Sequence, residues 1–300
     1  MKSGAGKYPV GLVGVGNMGG GMAAHLLEQG WPVQVRDLNP HKEQVLQRLG
    51  AVAHGSAAQL AINSVVAIVC VVDAVQTEAV LFGPDGAAAV MQPGQAVMLC
   101  PTIAPQDVEA FARRLGQRGI ATIDAPISGG PARARDGSMS LMLACADEVL
   151  ERHRGLIDAL SAKVFRISQR PGDGARTKLV NNLLAGINLA AAAEAMALAE
   201  RLGLDLATTL DVIEQSSGQS WIGSDRMRRV IAHGGLGDYA PRAHTTLLAK
   251  DTRLATEAAE AAGFDAALGR LAAETFRRAV EAGFGGEDDA SLFKLLSRAP

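Results

Sequence analysis

Three glycines mark the point where the first apolar segment of the chain gives way to its first helical one. Val10–Val13 is short and rich in valine, which predicts a strand, and Met18–Gln29 has a pattern typical of a helix. Gly14, Gly16 and Gly19 occupy the turn between the two segments. In such a turn the first glycine allows a tight bend, the second lets a ligand approach the backbone, and the third lets helix and strand pack closely. The spacing therefore predicts a strand–turn–helix unit, the start of an α/β fold.

The alternation of strand and helix continues through the first half of the chain. The apolar run Val65–Val72 has no polar alternation, which is typical of a parallel strand covered on both faces. Helical stretches such as Gln106–Gln117 separate several of the predicted strands. Those strands are Val10–Val13, Val33–Arg36, Val65–Val72, Ala96–Cys100, Ile120–Ile123, Ser140–Ala144 and Val164–Ile167. We therefore predict a doubly wound, mostly parallel sheet of the Rossmann type in residues 1–171.

The second half of the chain has a different pattern. Strand signals stop after Gly172, and long stretches rich in alanine and leucine follow. The longest predicted helix is Ala175–Arg201. Its most apolar part, Leu183–Leu198, is interrupted by polar residues and is too short to span a membrane, so we expect a buried helix. We predict a second, all-α domain in residues 172–300, joined to the first near Pro171–Gly174.

Composition narrows the class of partner. A net charge of −2 without a block of lysine and arginine argues against nucleic acid or a membrane surface and favours a small molecule. Cys70, Cys100 and Cys145 lie in or beside apolar runs and form no Cys-x-x-Cys pair, so we expect buried free thiols rather than a disulfide or a metal site. Free thiols are typical of a reducing compartment. Glycines also break the apolar stretch near the N-terminus, which therefore lacks the pattern of a signal peptide. We predict a cytoplasmic protein.

The glycine turn and an acidic residue after the second strand predict a dinucleotide site. Free N–H groups at the start of the following helix suit phosphate. The predicted cofactor-binding residues of the turn are Gly14, Gly16, Asn17, Met18 and Gly19. Asp37 ends the second predicted strand, where a carboxylate accepts hydrogen bonds from the adenosine ribose and repels a 2′-phosphate. Arg36 could meet such a phosphate, although strand alternation directs it to the opposite face. The sequence favours NAD over NADP, and the alternative is a glycine-rich turn without a ligand.

Two further groups of polar residues point to ligand binding. Ser128, Gly129 and Gly130 follow a predicted strand and expose successive N–H groups, which suits a carboxylate, although an ordinary turn fits them equally well. Lys250 and Asp251 interrupt an apolar helix, and a surface ion pair is the alternative there.

A third group lies at the start of the long helix. Lys178 and Asn182 are four residues apart, so they share one helix face, where a lysine and an amide can handle a proton and orient a hydroxyl. A solvated lysine is the alternative. The apolar residues from Leu179 onward argue against it, because they predict a mostly buried helix.

Four segments together resemble the β-hydroxyacid dehydrogenase family, which includes 3-hydroxyisobutyrate dehydrogenase and tartronate semialdehyde reductase. They occur in the family's order over almost the whole chain, and they are Gly14–Gly30, Asp124–Gly130, Gly172–Asn182 and Lys250–Asp251. The resemblance implies a Rossmann domain followed by a helical domain on a long connecting helix, with substrate binding and oligomerisation assigned to the helical domain. It also implies reversible hydride transfer between NAD and a short-chain hydroxy acid.

The resemblance implies roles for particular residues. Lys178 is the catalytic residue, a general base in oxidation and a general acid in reduction, and Asn182 contacts the substrate. The substrate carboxylate binds to Ser128, Gly129 and Gly130. Lys250 closes over the cofactor, and Thr102, at the end of a sheet strand, is placed to contact the nicotinamide ribose. The family likeness also implies a homodimer or homotetramer.

A narrower resemblance concerns the substrate. Val72–Gly83, Ala191–Glu200 and Ala282–Asp289 are similar to the L-threonate dehydrogenase branch, which oxidises four-carbon sugar acids at C2. We therefore expect a sugar acid such as L-threonate. The alternatives are 3-hydroxyisobutyrate dehydrogenase and tartronate semialdehyde reductase, which would use the same residues with a different pocket. A non-catalytic NAD-binding module is a remote alternative, since such a module would not need Lys178.

Overall fold

The computed structural model describes residues 6–232 and 237–297. The chain divides into two compact units, with the boundary between Lys178 and Leu179. The first unit contains the sheet and the second is helical. The division at residue 171 that the sequence suggests stays a prediction.

The described part of the first unit forms one sheet of nine strands. They are β1 (Val10–Val13), β2 (Val33–Arg36), β3 (Val52–Ala53), β4 (Val66–Val69), β5 (Ala96–Leu99), β6 (Ala121–Asp124), β7 (Ile127–Ser128), β8 (Ser140–Ala144) and β9 (Lys163–Ser168). Their order is β3-β2-β1-β4-β5-β6-β8-β7, and β9 also pairs with β8. The pairs from β3 to β6 are parallel, whereas β8 is antiparallel to β6 and β7. The predicted doubly wound, mostly parallel sheet is confirmed.

The strand order reverses at β1, and α/β sheets bind ligands beyond the carboxyl ends of their strands at such a point. The three strands that meet there end level with one another, since Val13 lies opposite both Arg36 and Val69. The turn after β1 therefore leaves the sheet beside the ends of β2 and β4.

Helices cover both faces of this sheet. They are α1 (Asn17–Glu28), α2 (Pro40–Gln47), α3 (Ala57–Ile62), α4 (Ala74–Phe82), α5 (Pro105–Gly116), α6 (Gly130–Asp136) and α7 (Asp147–Leu160). Leu12 of β1 packs in one core with Met22 of α1, and Leu99 of β5 packs in a second core with Phe111 of α5. Burial on two faces explains why the central strands are apolar without alternation.

The long helix α8 (Asp173–Arg201) continues into the second unit. The helices that follow are α9 (Leu206–Glu214), α10 (Trp221–Ile231), α11 (Thr245–Ala261), α12 (Ala267–Ala279) and α13 (Leu292–Ser297). Leu189 and Met196 of α8 are fully buried with Phe276 in the core of this unit. Within the described residues α8 is the one helix with the length and composition of a membrane span, so the expectation that its apolar part is too short for one is wrong. Of its most apolar 18-residue window, 39% is buried. The core helix of a soluble protein can have the same composition.

The three cysteines are free, as the sequence predicts. Cys100 and Cys145 are buried, and Cys70 is partly buried. Burial raises the pKa of the Cys70 thiol to about 12, so this side chain stays protonated and unreactive at neutral pH. In residues 6–232 and 237–297 no group of three His, Cys, Asp or Glu side chains is arranged to hold a metal ion.

Candidate active site

In the turn after β1, a side chain would clash at the first and third glycines, whereas the second glycine has free space beside it. Gly14 has a φ of +88°, and a Cβ there would lie 2.5 Å from the Cys70 carbonyl oxygen. A Cβ on Gly19 would overlap the Gly14 carbonyl oxygen. Gly16 has an ordinary φ of −69°, and the only described atom that its Cβ would meet within 4 Å is Lys42 Nζ, at 3.7 Å. The fold therefore requires two of the glycines, whereas the third leaves space for a ligand.

The start of α1 is uncapped. Gly16 occupies the N-cap position, no side chain caps it, and the first turn contains no acidic residue. The first N–H groups of the helix, including those of Asn17 and Met18, have no partner within the helix, and the helix dipole is positive there. A phosphate group supplies the missing acceptor. The open space at Gly16 and the uncapped start together fit the pyrophosphate of a dinucleotide.

Asp37 directly follows β2 and holds the glycine turn. Its Oδ2 accepts a hydrogen bond from Val15 N at 2.8 Å, and its Oδ1 accepts one from Asn39 N at 2.8 Å. Each carboxylate oxygen has a second lone pair that can accept a ribose hydroxyl. Arg36 pairs with Glu43 at 3.3 Å, so a carboxylate already engages its guanidinium. This arrangement favours a ribose hydroxyl over a 2′-phosphate.

The segment Ser128–Gly130 runs from the last residue of β7 to the first residue of α6. Its two glycines have φ values of +130° and +77°, a conformation that L side chains rarely adopt. The helix that follows packs closely on α1, because a Cβ on Gly21 would lie 3.1 Å from Arg135 N. Arg135 also forms a bidentate ion pair with Glu28 of α1. The predicted carboxylate-binding loop is thereby fixed to the helix that begins at the cofactor turn.

A buried carboxylate of the protein occupies the start of α8 and accepts hydrogen bonds from its backbone; we call such a helix start closed. Asp124, the last residue of β6, is 1% exposed. Its Oδ2 accepts hydrogen bonds from Gly172 N at 2.7 Å and Ala175 N at 3.2 Å. Burial raises the pKa of Asp124 to about 6, although the backbone N–H groups oppose that rise. A Cβ on Gly174 would lie 2.9 Å from the same oxygen, so this glycine gives the carboxylate room to reach the backbone.

The neighbouring carboxylate, that of Asp173, has side-chain partners instead of backbone ones. Asp173 accepts a hydrogen bond from the Ser168 hydroxyl at 2.7 Å and pairs with Arg170 at 3.2 Å and Arg176 at 3.0 Å. Both arginines are largely exposed. The first turn of α8 therefore carries one partly buried acid that pairs with arginines, and it lies against a second, buried acid that accepts hydrogen bonds from backbone.

Lys178 lies one helical turn after Gly174 and is 7% exposed, so it is not an ordinary solvated lysine. Asn182, one turn further on the same helix face, is 6% exposed. Thr102 lies in the segment between β5 and α5 and is partly buried. The predicted lysine and amide are therefore both buried rather than solvated.

In the second unit, the predicted Lys250–Asp251 pair contacts Asn182. Asn182 Nδ2 donates a hydrogen bond to Asp251 Oδ2 at 2.6 Å, and Lys250 Nζ lies 2.8 Å from Asp251 Oδ1. The side chains of Lys250 and Asp251 are only 17% and 13% exposed, so this is not a surface ion pair. Asn181 Nδ2 donates to Asn182 Oδ1 at 2.9 Å. The amide of Asn182 is therefore held in one orientation by its neighbours.

Sequence reasoning assigned no role of their own in the site to Asp124 and Asp251, although it noted the Lys250–Asp251 pair. Asp124 ends an otherwise apolar strand, and Asp251 interrupts an apolar helix. A lone acid in an apolar segment is the signal that could have singled out both, since buried carboxylates need partners. Their partners lie far away in the chain and could not be read from it.

A mostly parallel sheet with an open glycine turn at its reversal point and an acid after the second strand defines a dinucleotide-binding oxidoreductase. Residues 9–168 match the family model described as the NAD binding domain of 6-phosphogluconate dehydrogenase. Residues 172–296 match the model described as NAD-binding of NADP-dependent 3-hydroxyisobutyrate dehydrogenase. The chain belongs to the NAD(P)-dependent β-hydroxyacid dehydrogenase family, the family of 3-hydroxyisobutyrate dehydrogenase.

Individual relatives are similar to this chain over nearly its full length. The chain is 40% identical to L-threonate dehydrogenase of Cupriavidus necator over 287 residues, which are 96% of this chain and 95% of that one. It is 30% identical to mitochondrial 3-hydroxyisobutyrate dehydrogenase of Mus musculus, over 98% and 89% of the two chains. A crystal structure described as 3-hydroxyisobutyrate dehydrogenase from Salmonella typhimurium has a TM-score of 0.89 at 38% identity, over 96% of this chain and 100% of that one. The protein is a dehydrogenase that uses NAD and acts on a small hydroxy acid.

Proposed function

We propose that this enzyme oxidises L-threonate at C2. The observation that carries the proposal is the identity of 36–40% to L-threonate dehydrogenases from several bacteria, over at least 96% of this chain. The sequence relatives named 3-hydroxyisobutyrate dehydrogenase are 30% and 33% identical. A four-carbon sugar acid is therefore the substrate class that we favour.

Lys178 moves the proton in this proposal. In oxidation its neutral amine accepts the proton of the substrate hydroxyl, and in reduction its ammonium returns that proton to the carbonyl oxygen. The low exposure of Lys178 supports this role, because a general acid–base group must be held within hydrogen-bond reach of the substrate rather than lie free in solvent. NAD, when bound, supplies the acceptor for the hydride.

Two groups orient the substrate. Ser128, Gly129 and Gly130, where β7 passes directly into α6, bind its carboxylate, and the positive φ values of the two glycines suit a concave array of N–H groups. Asn182 contacts the substrate through its amide, and Asp251 keeps that amide in place. Fixing the carboxylate and the hydroxyl together selects the carbon that faces the cofactor.

The cofactor binds along the carboxyl edge of the sheet. Its pyrophosphate lies on the uncapped start of α1, where the binding residues are Gly14, Gly16, Asn17, Met18 and Gly19. Asp37 binds the adenosine ribose, Thr102 contacts the nicotinamide ribose, and Lys250 closes over the cofactor. NAD is preferred to NADP because the carboxylate of Asp37 repels a 2′-phosphate.

A second candidate is 3-hydroxyisobutyrate dehydrogenase, and the Salmonella typhimurium structure with that description supports it at 38% identity. This activity would use the same lysine, carboxylate loop and cofactor turn. Tartronate semialdehyde reductase is a further variant of the same chemistry. The three candidates differ only in the substrate.

The test is a screen of NADH formation, followed by absorbance, over L-threonate, D-threonate, glycerate, tartrate and 3-hydroxyisobutyrate. We expect kcat/KM for L-threonate to exceed the others by about 100-fold, since a site that binds hydroxyl groups discriminates strongly against analogues that lack them. NADP in place of NAD should give a lower kcat/KM. A preference for 3-hydroxyisobutyrate or D-threonate would contradict the substrate assignment.

We also propose a cytoplasmic homodimer or homotetramer. Val180, Leu184 and Leu198 are exposed on one face of α8, and Leu268 and Leu271 are exposed on α12. Apolar side chains grouped in this way are typical of a protein–protein contact. A reducing compartment suits the three free cysteines. Sedimentation should give the mass of two or four chains, and the mass of one chain would contradict the proposal.

A further inference from the structure

Backbone N–H groups reach the buried carboxylate of Asp124. This carboxylate lies at the end of β6 and is 1% exposed. The donors that reach it are the N–H groups of Gly172, Gly174 and Ala175, which belong to the turn before α8 and to the first turn of that helix. A helix N-terminus carries partial positive charge, so the pairing is favourable in both hydrogen bonding and dipole.

This contact links two parts of the proposed site within the first unit. Lys178 follows Gly174 by four residues, so both lie on the same face of α8. In the other direction along the chain, the carboxylate-binding loop begins at Ser128, four residues after Asp124. One carboxylate therefore connects the strand that leads to the substrate loop with the helix turn that carries the lysine.

Glycine is required at two positions of this contact. Gly172 has a φ of +104°, and a Cβ on Gly174 would lie 2.6 Å from the Met142 carbonyl oxygen as well as 2.9 Å from Asp124 Oδ2. The segment before Lys178 is glycine-rich because the helix start lies directly against the sheet. It is not open to an external anion.

We propose that Asp124 is a positioning residue for Lys178: its ionised carboxylate anchors the first turn of α8 to the end of β6, and the anchor weakens when the carboxylate takes up a proton. This inference rests on the proposed role of Lys178. It adds a residue that touches neither substrate nor cofactor and that acts through the helix.

The surroundings of Asp124 set the pH at which the anchor weakens. Burial raises its pKa to about 6, the backbone N–H groups oppose the rise, and the nearby charge of Asp173 adds to it. The thiols of Cys100 and Cys145 also face it, and both stay protonated because burial raises their pKa. As the pH falls through about 6, Asp124 becomes neutral. The hydrogen bonds that it accepts from Gly172 N and Ala175 N are then no longer strengthened by its negative charge.

Kinetics in the reduction direction separate the protonation of Asp124 from that of Lys178. Lys178 must be protonated to act as the acid there, so acid pH does not disable the lysine. For the wild type we expect kcat for reduction of the oxo acid by NADH to fall as the pH drops through about 6. In Asp124→Asn this acid limb should be absent, and kcat at neutral pH should be about 10- to 100-fold lower with KM for NADH unchanged, because a small misplacement of a catalytic group has an effect of that size.

Asp173→Asn is the matched control. It removes the other carboxylate of the same turn, which pairs with Arg170 and Arg176, and it should keep the rate at neutral pH. It should also retain an acid limb, shifted to lower pH, because the charge of Asp173 helps to raise the pKa of Asp124. Hydrogen exchange gives a readout that needs no substrate: the amides of residues 172–178 should exchange faster in Asp124→Asn, and those of α1 should not. An acid limb and exchange rates like those of the wild type in Asp124→Asn would overturn the inference.

Gly174→Ala tests the same contact if Asp124→Asn does not fold. The added Cβ should displace the helix start and lower kcat about as much, whereas Gly155→Ala, an exposed glycine of α7 with no neighbour within 4 Å of its Cβ position, should not. A Gly174→Ala enzyme with the wild-type rate would contradict the inference. If Lys178→Ala kept its activity, the proposed function itself would fail, whatever the Asp124 variants showed.

Discussion

Two helices of this protein begin after glycine-rich turns, and their starts are built in opposite ways. The start of α1 has no side-chain cap, and the space at Gly16 is open. The start of α8 is occupied by Asp124, which accepts hydrogen bonds from Gly172 N and Ala175 N. Both helix starts attract negative charge. At α1 we propose that this charge comes from the phosphates of the cofactor, whereas at α8 it comes from the protein itself.

The comparison shows that glycine near a helix start has two uses. At Gly16 it leaves room for a phosphate group, and at Gly174 it leaves room for a carboxylate of a neighbouring strand. A substitution that fills the space at the start of α1 should therefore weaken cofactor binding. Damage to the closed start should affect turnover, because the closed start carries Lys178.

The largest expected effect concerns the residue that the closed start carries. Lys178→Ala should lower kcat about 10²- to 10⁴-fold, the usual contribution of general acid–base catalysis, and should leave the affinity for NADH nearly unchanged. Steady-state kinetics and a fluorescence titration with NADH measure the two quantities. Lys163→Ala, at an exposed lysine of β9, is the control and should match the wild type. Near wild-type turnover by Lys178→Ala would remove the lysine from the mechanism.

A smaller effect is expected at the open start. The Cβ of Gly16→Ala meets nothing closer than Lys42 Nζ at 3.7 Å, so the fold should tolerate it, but the methyl group occupies the space of the pyrophosphate. We expect KM for NAD to rise about 10- to 100-fold, the value of one or two hydrogen bonds to a charged group, with kcat at saturating NAD little changed. Gly155→Ala is the matched control. An unchanged KM would mean that the space at Gly16 is not used.

The smallest effect concerns cofactor choice beside the open start. Asp37→Ser removes the carboxylate that would repel a 2′-phosphate, so the ratio of kcat/KM for NADP to that for NAD should rise about tenfold. Both values should fall somewhat, because Asp37 also accepts the hydrogen bond of Val15 N. Kinetics with the two cofactors side by side give the ratio. An unchanged ratio would contradict the role of Asp37 in discrimination.

The fold was predictable because its signals are local. The β1, β2 and β8 strands have the predicted bounds, and α1 and α5 each begin and end one residue before the predicted positions. Uninterrupted apolar runs indicate buried parallel strands, and glycine spacing indicates the first turn. Two strands, β3 and β7, were not predicted, since each has only two residues and leaves no pattern.

The contacts that organise the candidate site were less predictable. Asp124 lies 48 residues from Gly172 in the chain, and Asp251 lies 69 residues from Asn182. The sequence singled out the segments that contain these residues but could not pair them, because pairing depends on how strands and helices pack. For the same reason the sequence did not distinguish the open glycine turn from the closed one.

The central claim is that the start of α1 binds the cofactor, whereas the start of α8 positions Lys178. The most direct test is a titration of NADH, followed by fluorescence, into wild type, Gly16→Ala and Gly174→Ala. We predict that Gly16→Ala loses about 10- to 100-fold in affinity, in line with lost hydrogen bonds to a charged group. Gly174→Ala should bind NADH like the wild type despite its low turnover. Equal loss of affinity in both variants, or in neither, would contradict the account.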